Sequence, residues 1–504
     1  MKYIIVQAGG KGTRLKHLTK NKPKALVPID NLPMLFHLFK KYPDKRFIII
    51  ADYHREVLRE YLASFARVKY QIVDAEGTGT CSGVGQALER LPENEPFMLV
   101  WSDLILPEGF ILPDAYEAGN LPSSPTADYI GISKTFSCRW SYKNNRFVEE
   151  PSLEYGVAGF FLFHDKSQLS KVPDSGELVR WMQSQKMVFQ EISLAGTKEF
   201  GLLEEYEKLG KEKCRPFNRI TVDGNVLTKE AVDEQGRKLA ARECLWYEKA
   251  REKNSKILPY IYETNPLKME YIKGKNIYEC FLSFEEKKEI LKKLVDALHR
   301  LHQSEAVVAD SFSIKEAYFH KTMERLAKIE DLVPFAREKS IKINGKTCRN
   351  IYFYKRELEQ KLEQLTCRQF HFIHGDCTFS NLMLREDGNP VLIDPRGYFG
   401  FTELYGDVRY DWAKLYYSIV GNYDRFNLKD FRLEIGEDEV SLQIQSNHWE
   451  DMEQEFFALT GAKPYEIKLL HSVIWLSLTT YAWQDYDSVC GAFYNGLYYL
   501  EDVL

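Results

Sequence analysis

Short apolar runs alternate with helical stretches through the first part of the chain. The runs have the length and composition of buried strands, and they occupy residues 3–6, 47–51, 68–73 and 97–101. A candidate helix at residues 54–65 separates two of them. Since strands that alternate with helices pair mostly in parallel, the sequence predicts an α/β domain with a mixed, mostly parallel sheet, which a later strand at residues 156–163 joins.

The pattern changes near residues 201–215, where a charged helical stretch ends before Pro216. Two strand-like runs follow, at residues 218–222 and 226–229, and the Asp-Gly pair between them is typical of a hairpin turn. The remainder is mainly helical, and the apolar side chains of residues 284–303 recur at helical spacing. We therefore predict two domains, residues 1–212 and residues 213–504.

The composition restricts the partners and the compartment of the protein. Of the 504 residues, 44% are hydrophobic and 28% are charged, and the net charge of −5 argues against a nucleic-acid partner. No apolar run approaches the ~20 residues of a membrane helix, and the first apolar run is too short for a secretory signal. The nine cysteines are scattered without a CxxC pair, as in proteins of a reducing compartment. We expect a cytoplasmic protein without a membrane partner.

A glycine-rich loop follows the first predicted strand. Glycines permit tight turns and let backbone N–H groups approach phosphates, and neighbouring cations add positive charge. The loop consists of Gly9, Gly10, Lys11, Gly12, Thr13 and Arg14. It is not a P-loop, because the Gly-Lys pair is followed by glycine rather than by serine or threonine, and it is not a dinucleotide fingerprint. A structural turn without a ligand remains the alternative for such a loop.

The combination of GGKGTRL with KPKALVPI at residues 22–29 is more specific than the loop by itself. It resembles the sugar-nucleotide pyrophosphorylase and phosphocholine cytidylyltransferase family over residues 1–200, which implies a Rossmann-like nucleotidyltransferase. The resemblance implies that the glycine loop holds the phosphates of an NTP, and that Arg14 and Lys24 are catalytic and stabilise the leaving pyrophosphate. It also places Gly79 and Thr80 near the base and makes Asp103, after the strand at 97–101, a ligand of Mg²⁺; a turn or helix cap is the alternative for this aspartate.

Two departures from the family pattern concern the acceptor and the metal. The family's lysine in a Glu-Lys-Pro turn corresponds to Glu150 here. No aspartate stands where the family has its second metal carboxylate, and Glu191 is our candidate substitute. These departures leave a degenerate site as an alternative. The short domain favours the smaller cytidylyltransferase type, and hence CTP over UTP or dTTP.

The segment FIHGDCTFSN, at residues 372–381, is followed by the apolar run VLID at residues 391–394. Phosphoryl transfer needs a carboxylate at the attacking hydroxyl and oxygen ligands that hold Mg²⁺ against the triphosphate of ATP. Asp376 supplies the catalytic carboxylate, and Asn381 and Asp394 supply the metal ligands. The spacing of these three residues therefore predicts a kinase.

This segment resembles the aminoglycoside phosphotransferase and choline kinase family over residues 215–504. The subgroup that is fused to nucleotidyltransferases in cell-surface polysaccharide pathways is similar through IDPRG at residues 393–397 and GDVRYDWAKL at residues 406–415. The resemblance implies a protein-kinase-like α+β domain. Asp411 and Lys414 in the second motif are also candidates for a structural ion pair.

The region before the kinase motif fits a kinase small lobe. The order of the motifs implies that Lys229, on a strand, pairs with Glu243, on a helix, and contacts the ATP phosphates, while Glu270 and Tyr271 belong to a hinge that reads adenine. Lysines and glutamates are common on surfaces, so a solvated pair is the alternative. Tail aromatics are candidates for a quaternary-amine cage or for core packing, namely Trp475, Tyr481, Trp483 and Tyr486.

Together these features predict a bifunctional enzyme with Mg²⁺ in both sites. The kinase phosphorylates a small alcohol or sugar with ATP, and the nucleotidyltransferase joins that phosphate to a second NTP and releases pyrophosphate. The activated product serves surface glycan biosynthesis. A homo-oligomer is compatible with the sequence. The alternative is a small-molecule kinase whose N-terminal domain is a non-catalytic nucleotide sensor or a structural unit.

Overall fold

The computed structural model describes residues 1–117, 127–200, 203–207, 218–232, 234–252 and 257–504. The chain divides into two compact units. The N-terminal unit comprises Met1–Gly210 with Gln484–Tyr486, and the C-terminal unit comprises Lys211–Trp483 with Asp487–Leu504. The predicted domain boundary at residue 212 lies outside the described residues and stays a prediction.

The N-terminal unit is built on a mixed sheet. Its strands are β1 Tyr3–Gln7, β2 Pro28–Ile29, β3 Leu32–Pro33, β4 Arg46–Ala51, β5 Lys69–Asp74, β6 Phe97–Trp101, β7 Leu104–Ile105, β8 Tyr129–Ser133, β9 Ser141–Lys143, β10 Arg146–Val148, β11 Gly156–Phe163, β12 Gln190–Ser193 and β13 Lys198–Glu199. Its α-helices are α1 Met34–Lys41, α2 Arg55–Phe65, α3 Val84–Glu89, α4 Leu178–Ser184 and α5 Leu203–Glu207.

The main sheet has the order β10-β9-β11-β6-β1-β4-β5, and β8 links β11 to β12. β1 pairs in parallel with both β4 and β6, and β4 pairs in parallel with β5. β11 runs antiparallel to β6, so the sheet is mixed, as expected. Alternate residues of the central strands enter one core, where Ile5, Ile50 and Leu99 pack with Val84 of α3 and Leu178 of α4.

The C-terminal unit begins with a small antiparallel sheet and continues as a mainly helical lobe. Its strands are β14 Asn218–Asp223, β15 Val226–Ala231, β16 Ile261–Thr264, β17 Leu267–Glu270, β18 Gly274–Asn276, β19 Ala306–Val308, β20 Ser340–Ile343, β21 Lys346–Arg349, β22 Gln369–Phe372, β23 Leu382–Arg385, β24 Pro390–Leu392, β25 Tyr398–Phe399, β26 Thr402–Glu403, β27 Tyr405–Gly406, β28 Phe431–Ile435 and β29 Glu439–Ile444. Its α-helices are α6 Glu234–Arg251, α7 Phe284–Gln303, α8 Ser311–Lys315, α9 Lys321–Ile329, α10 Lys355–Glu363, α11 Val408–Ile419, α12 Tyr423–Asn427, α13 Glu453–Thr460, α14 Pro464–Leu478 and α15 Tyr486–Leu500.

The predicted hairpin and helix of this unit are present. The sheet order β14-β15-β17-β16, with α6 after β15, is that of a kinase small lobe. Helix α7 begins at a capping box, in which Ser283 and Glu286 each bond to the other's backbone N–H, and its apolar face is buried. Within the described ranges, no helix is both long enough and apolar enough to cross a membrane.

Gly159 in β11 is a sharp packing constraint of the N-terminal unit. Its φ is +75°, and a Cβ atom there would lie 2.0 Å from the Trp101 ring. We predict that Gly159→Ala lowers the free energy of unfolding of this unit by about 2 kcal/mol or more, because it combines overpacking with left-handed backbone strain.

Gly85→Ala in α3 is the matched control. A Cβ atom at Gly85 meets open space, so alanine there is expected to stabilise the helix by up to ~1 kcal/mol. Urea unfolding of both variants checks the pair. Equal midpoints would show that β11 and Trp101 repack freely.

Candidate functional site

The N-terminal unit has a crevice at the carboxyl ends of its parallel strands. The chain runs from β1 to β4 on one side and reaches β6 on the other side later, so β1 marks the point where the strand order reverses. Ligands of open α/β sheets bind at such points. Gln7, the last residue of β1, lies opposite Trp101 of β6, so the glycine loop and Asp103 leave the sheet at the same edge.

The glycines of the loop at residues 9–14 have different roles. A Cβ atom at Gly9 would lie 2.6 Å from Cβ of Asp52, so glycine is needed for packing there. Gly12 has a φ of +59°, and its Cβ would lie 3.1 Å from Cβ of Lys24. At Gly10 a Cβ atom would meet open space. Packing does not explain this glycine, whereas close approach of a phosphate to its backbone does.

Lys24 and Asp103 lie side by side and are largely buried. Lys24 Nζ contacts Oδ2 of Asp103, and the two side chains are 10% and 15% exposed. The other carboxylate oxygen of Asp103 is buried and has no hydrogen-bond partner among the described residues. An orphaned buried carboxylate oxygen is costly unless a ligand satisfies it, so Asp103 fits the predicted cation ligand.

A second carboxylate, Glu199, lies beside Asp103. Glu199 is in β13, opposite Leu104 of β7, and one of its oxygens is 4.0 Å from a guanidinium nitrogen of Arg14. Burial, and then the charges of Glu199 and Asp103, raise the pKa of the Cys138 thiol to about 12, which places both carboxylates near one thiol. Sequence reasoning missed Glu199, although its position two residues after the Gly196-Thr197 pair was available as a signal.

Glu191, the residue predicted for this role, is placed elsewhere. It lies in β12 opposite Ile130 of β8, and its side chain is exposed. Since β8 and β11 separate β12 from β6, the backbone of Glu191 is roughly 14 Å from the strand that leads to Asp103. The structure therefore favours Glu199 over Glu191 as the partner of Asp103.

The turn at Gly79 and Thr80 is anchored at the same edge of the sheet. Gly79 has a φ of +79°, and a Cβ atom there would lie 2.4 Å from the carbonyl oxygen of Gly176. The side chain of Gln7 donates to the carbonyl of Thr80, whose hydroxyl accepts from the backbone N–H of Leu178 at 2.8 Å. The turn is thus tied to β1 and to the start of α4.

In the C-terminal unit, three predicted residues form one ionic cluster, in which Lys229 and Glu243 are largely buried and Asp394 is partly exposed. Lys229 Nζ donates to the carboxylate of Glu243 at 2.8 and 3.0 Å and to Asp394 at 2.7 Å. Burial lowers the pKa of Lys229, but the charges of Asp394 and Glu243 outweigh it and raise the pKa above its ordinary value. Burial raises the pKa of Glu243. The lysine is therefore held as a cation on β15.

Asp376 lies in the loop between β22 and β23. One of its oxygens is 3.0 Å from Lys414 Nζ, and the other accepts from the side-chain amide of Asn381 at 3.0 Å. The same amide nitrogen donates to the Asp376 carbonyl. Because both bonds use the nitrogen, the amide oxygen of Asn381 is left as a ligand. Asp394, two residues after the end of β24, has a φ of 56°.

The fully buried carboxylate of Asp411 fixes this catalytic loop. It accepts from the backbone N–H groups of His374 at 2.9 Å and Gly375 at 2.6 Å, and it bonds to His302 at 2.9 Å. Burial would raise the pKa of Asp411, but His302, His374 and the backbone bonds hold the pKa below its ordinary value. Asp411 and Lys414 are therefore not an ion pair with each other; each contacts the catalytic loop separately.

Backbone amides of the predicted hinge already form hydrogen bonds within the protein. The N–H groups of Glu270 and Tyr271 donate to the carbonyls of Tyr260 and Asn225 at 2.7 and 2.8 Å. The side chain of Glu270 pairs with Arg385. These two amides are not available to adenine, so a nucleotide would have to use the carbonyl groups of this segment or amides further along it.

The tail aromatics differ in their exposure, and two of the four are buried. Trp475 is fully buried, its indole N–H donates to His471 at 3.0 Å, and its ring packs against Tyr417 at 4.7 Å between centroids. Tyr486 is buried as well, whereas Tyr481 is 52% exposed. Core packing accounts for Trp475.

Both sites offer oxygen ligands that suit Mg²⁺. Within the described ranges, no three His, Cys, Asp or Glu side chains cluster as a metal site. Mg²⁺ is usually bound by one or two protein oxygens together with substrate phosphates. Asn381 and Asp394 provide such a set in the C-terminal unit, and Asp103 with Glu199 provides one in the N-terminal unit.

Known proteins match both units. Residues 3–114 match the family model described as nucleotidyl transferase, and residues 241–436 match the phosphotransferase enzyme family. The D-glycero-alpha-D-manno-heptose 1-phosphate guanylyltransferase of Campylobacter jejuni is 35% identical over 101 residues, 19% of this chain and 45% of that protein. Glucose-1-phosphate cytidylyltransferase of Salmonella typhimurium is 33% identical over 130 residues, 20% of this chain and 50% of that protein.

Among solved structures, HddC from Yersinia pseudotuberculosis is 20% identical and covers 42% of this chain and 98% of its own, with a TM-score of 0.35. The chain spans half or less of the length of the curated relatives cited. It carries a nucleotidyltransferase domain and a phosphotransferase domain, which confirms both resemblances. Models of two transferase families therefore match separate parts of one polypeptide.

The contacts of Asp411 generate a prediction for the phosphotransferase unit. Asp411→Asn preserves the shape, but its NH₂ group must face one of the backbone N–H groups, which costs ~1–3 kcal/mol. We expect kcat for ATP consumption to fall by roughly 10–100-fold while KM for ATP changes by less than about twofold, because the catalytic loop loses its alignment. Steady-state kinetics measure both constants.

Asp296→Asn is the control for this substitution. Asp296 is a partly exposed residue of α7 that pairs with Lys292, and its replacement should leave kcat unchanged. A thermal melt confirms that both variants are folded. A wild-type kcat in folded Asp411→Asn would contradict the positioning role.

Proposed function

We propose that the C-terminal unit phosphorylates a hydroxyl group of a small alcohol or sugar with ATP, and that the N-terminal unit couples the resulting phosphate to an NTP. The observation that carries the proposal is the joint arrangement of Asp376, Asn381 and Asp394 with the Lys229–Glu243 pair. These residues can bind an attacking hydroxyl and a magnesium triphosphate, and the lysine can contact the phosphates.

In the kinase step, the acceptor oxygen attacks the γ-phosphorus and the bond from that phosphorus to the bridging oxygen of ADP breaks. Asp376 orients the hydroxyl and takes its proton. Lys229, held by Glu243, contacts the α- and β-phosphates. Mg²⁺ bound by Asn381 and Asp394 would neutralise phosphate charge. Lys414, 3.0 Å from Asp376, keeps the carboxylate in place.

In the nucleotidyl step, an oxygen of the phosphorylated acceptor attacks the α-phosphorus of the NTP, and the bond to pyrophosphate breaks. The backbone at Gly10 accommodates the phosphates. Lys24 and Arg14 face the charge that develops on pyrophosphate. Asp103 and Glu199 would hold Mg²⁺, which supplies further positive charge. The product is an NDP-activated acceptor.

The relatives and the size of the N-terminal unit bear on the identity of the substrates. The relatives' names describe transfer of guanylyl or cytidylyl groups to sugar 1-phosphates, which supports a phosphorylated sugar or alcohol as the acceptor. We favour CTP because the domain is short, and we place the activated product in surface glycan biosynthesis in the cytoplasm. Gly79 and Thr80 would lie near the base.

A second candidate function is a kinase with a nucleotide-sensing N-terminal unit. The observation that favours it is the Lys24–Asp103 pair, in which the lysine occupies an oxygen that a metal would otherwise bind. A sensor would bind NTP without releasing pyrophosphate.

Reciprocal inactivation tests the proposal. We expect Asp376→Asn to abolish acceptor-dependent ATP consumption and to leave pyrophosphate release from NTP and the phosphorylated acceptor unchanged. Lys24→Ala should do the opposite and lower pyrophosphate release by about 100-fold, since it removes one preorganised charge. Coupled assays for ADP and pyrophosphate measure the two activities on the same preparations.

Each variant is the control for the other. Loss of both activities in one folded variant would contradict two independent sites. The wild type is also assayed with the product of its own kinase reaction. If it then binds NTP but releases no pyrophosphate, the N-terminal unit is a nucleotide sensor and not a nucleotidyltransferase.

A further inference from the structure

Next to Asp376 the C-terminal unit gathers cations that have no acidic partner. Lys321 and Arg325 are one turn apart on α9, so their side chains lie on the same face of that helix. Arg396 lies two residues after Asp394, between β24 and β25. In the described part of the chain, no carboxylate lies within ion-pair distance of Lys321, Arg325 or Arg396.

Arg396 ties this cation cluster, Lys321, Arg325 and Arg396, to the catalytic loop. Its backbone N–H donates to the carbonyl of His374 at 2.9 Å, two residues before Asp376. Its guanidinium donates to the hydroxyls of Tyr410 at 2.6 Å and Tyr398 at 2.7 Å. These phenol groups orient the guanidinium, and the charge of Asp376 also acts on it without a close ion pair.

The other two cations reach the same place from the helical insert. Arg325 is held by the carbonyl and hydroxyl of Ser477 in α14, which are neutral partners. Burial, and then the charges of Arg396, Arg325 and Lys414, lower the pKa of Lys321 well below its ordinary value, against the opposing charge of Glu316. The ring of Tyr318, in the turn just before α9, lies 6.3 Å from the ring of Tyr410, to which Arg396 donates, so the start of α9 is packed beside Arg396 and the cations repel one another.

Such repulsion costs folding energy, since like charges one helical turn apart are destabilising and half-buried charges need partners. A π-helical turn, Glu316–His320, directly precedes Lys321, and turns of this kind are frequent at functional sites. A bound anion would remove the repulsion. Lys414, which is already paired with Asp376, connects the cluster to the attacking hydroxyl.

We propose that the acceptor of the kinase carries an oxyanion, either a phosphate or a carboxylate, in addition to the hydroxyl that is phosphorylated, and that Lys321, Arg325 and Arg396 bind it. The inference rests on the proposed kinase function and narrows its acceptor class. It excludes choline and other cationic alcohols as preferred acceptors, because the cluster repels them. Trp475, one of the tail aromatics considered for a quaternary-amine cage, is in the core.

Calorimetric titration of inorganic phosphate and of acetate into the full chain, with ADP and Mg²⁺ present, tests the cluster without requiring catalysis. We expect one of the two anions to bind. Lys321→Gln and Arg325→Gln should weaken that binding by about tenfold or more, since each removes a charge-assisted bond. The two anions distinguish a phosphate group from a carboxylate group.

Arg337→Gln is the matched control, because Arg337 is a surface arginine whose side chain is 85% exposed. It should bind as the wild type does. Arg325→Lys, which keeps the charge, should recover most of the affinity that Arg325→Gln loses. Failure of both anions to bind the wild type, or equal affinity in all the variants, would overturn the proposal.

Choline is titrated in the same way and is expected not to bind. Binding of choline that is tighter than that of either anion would also overturn the proposal. A separate titration of ADP into the chain, without added anions, tests the proposed kinase function. An absence of ADP binding would count against the kinase, while the variants would still decide whether the cluster is an anion site.

Discussion

The candidate site of the C-terminal unit depends on the hydrogen bonds that the carboxylate of Asp411 accepts. It is fully buried, and it accepts bonds from two consecutive backbone N–H groups of the catalytic loop and from His302. A buried charge is stable only when its lone pairs are satisfied, so the loop, α7 and α11 must meet in one arrangement. That arrangement places Asp376 against Lys414 and Asn381, where the proposed kinase step puts the acceptor hydroxyl.

The N-terminal unit reaches its site by a different physical route. There the backbone register of parallel strands sets the geometry, since β1 and β6 end side by side and release the glycine loop and Asp103 at one edge. The Lys24–Asp103 pair and the nearby Glu199 then supply charges of both signs. The proposed binding of both Mg²⁺ and a polyphosphate needs such a mixture, because each ligand neutralises charge of the opposite sign.

The two sites also differ in how their cations are paired with carboxylates. In the nucleotidyltransferase unit, the described cation Lys24 already faces a carboxylate, and Arg14 lies near one. In the C-terminal unit, Lys229 and Lys414 face carboxylates, whereas Arg325 and Arg396 donate to phenol, hydroxyl and carbonyl groups. We attribute this positive charge, which has no close ion pair in the described part of the chain, to binding of an anionic substrate rather than to a requirement of the fold.

The sequence by itself determined the elements and the local motifs. The apolar runs predicted the central strands of the first sheet, and the spacing within residues 372–394 predicted Asp376, Asn381 and Asp394, because short-range spacing fixes which side chains share a loop. The tertiary structure decided what meets across long separations. It set Glu199 rather than Glu191 beside Asp103, gave Asp411 to the catalytic loop, and brought α9 to Arg396. Such contacts arise from strand register and helix packing, which depend on the whole core and leave no periodic signal in the chain.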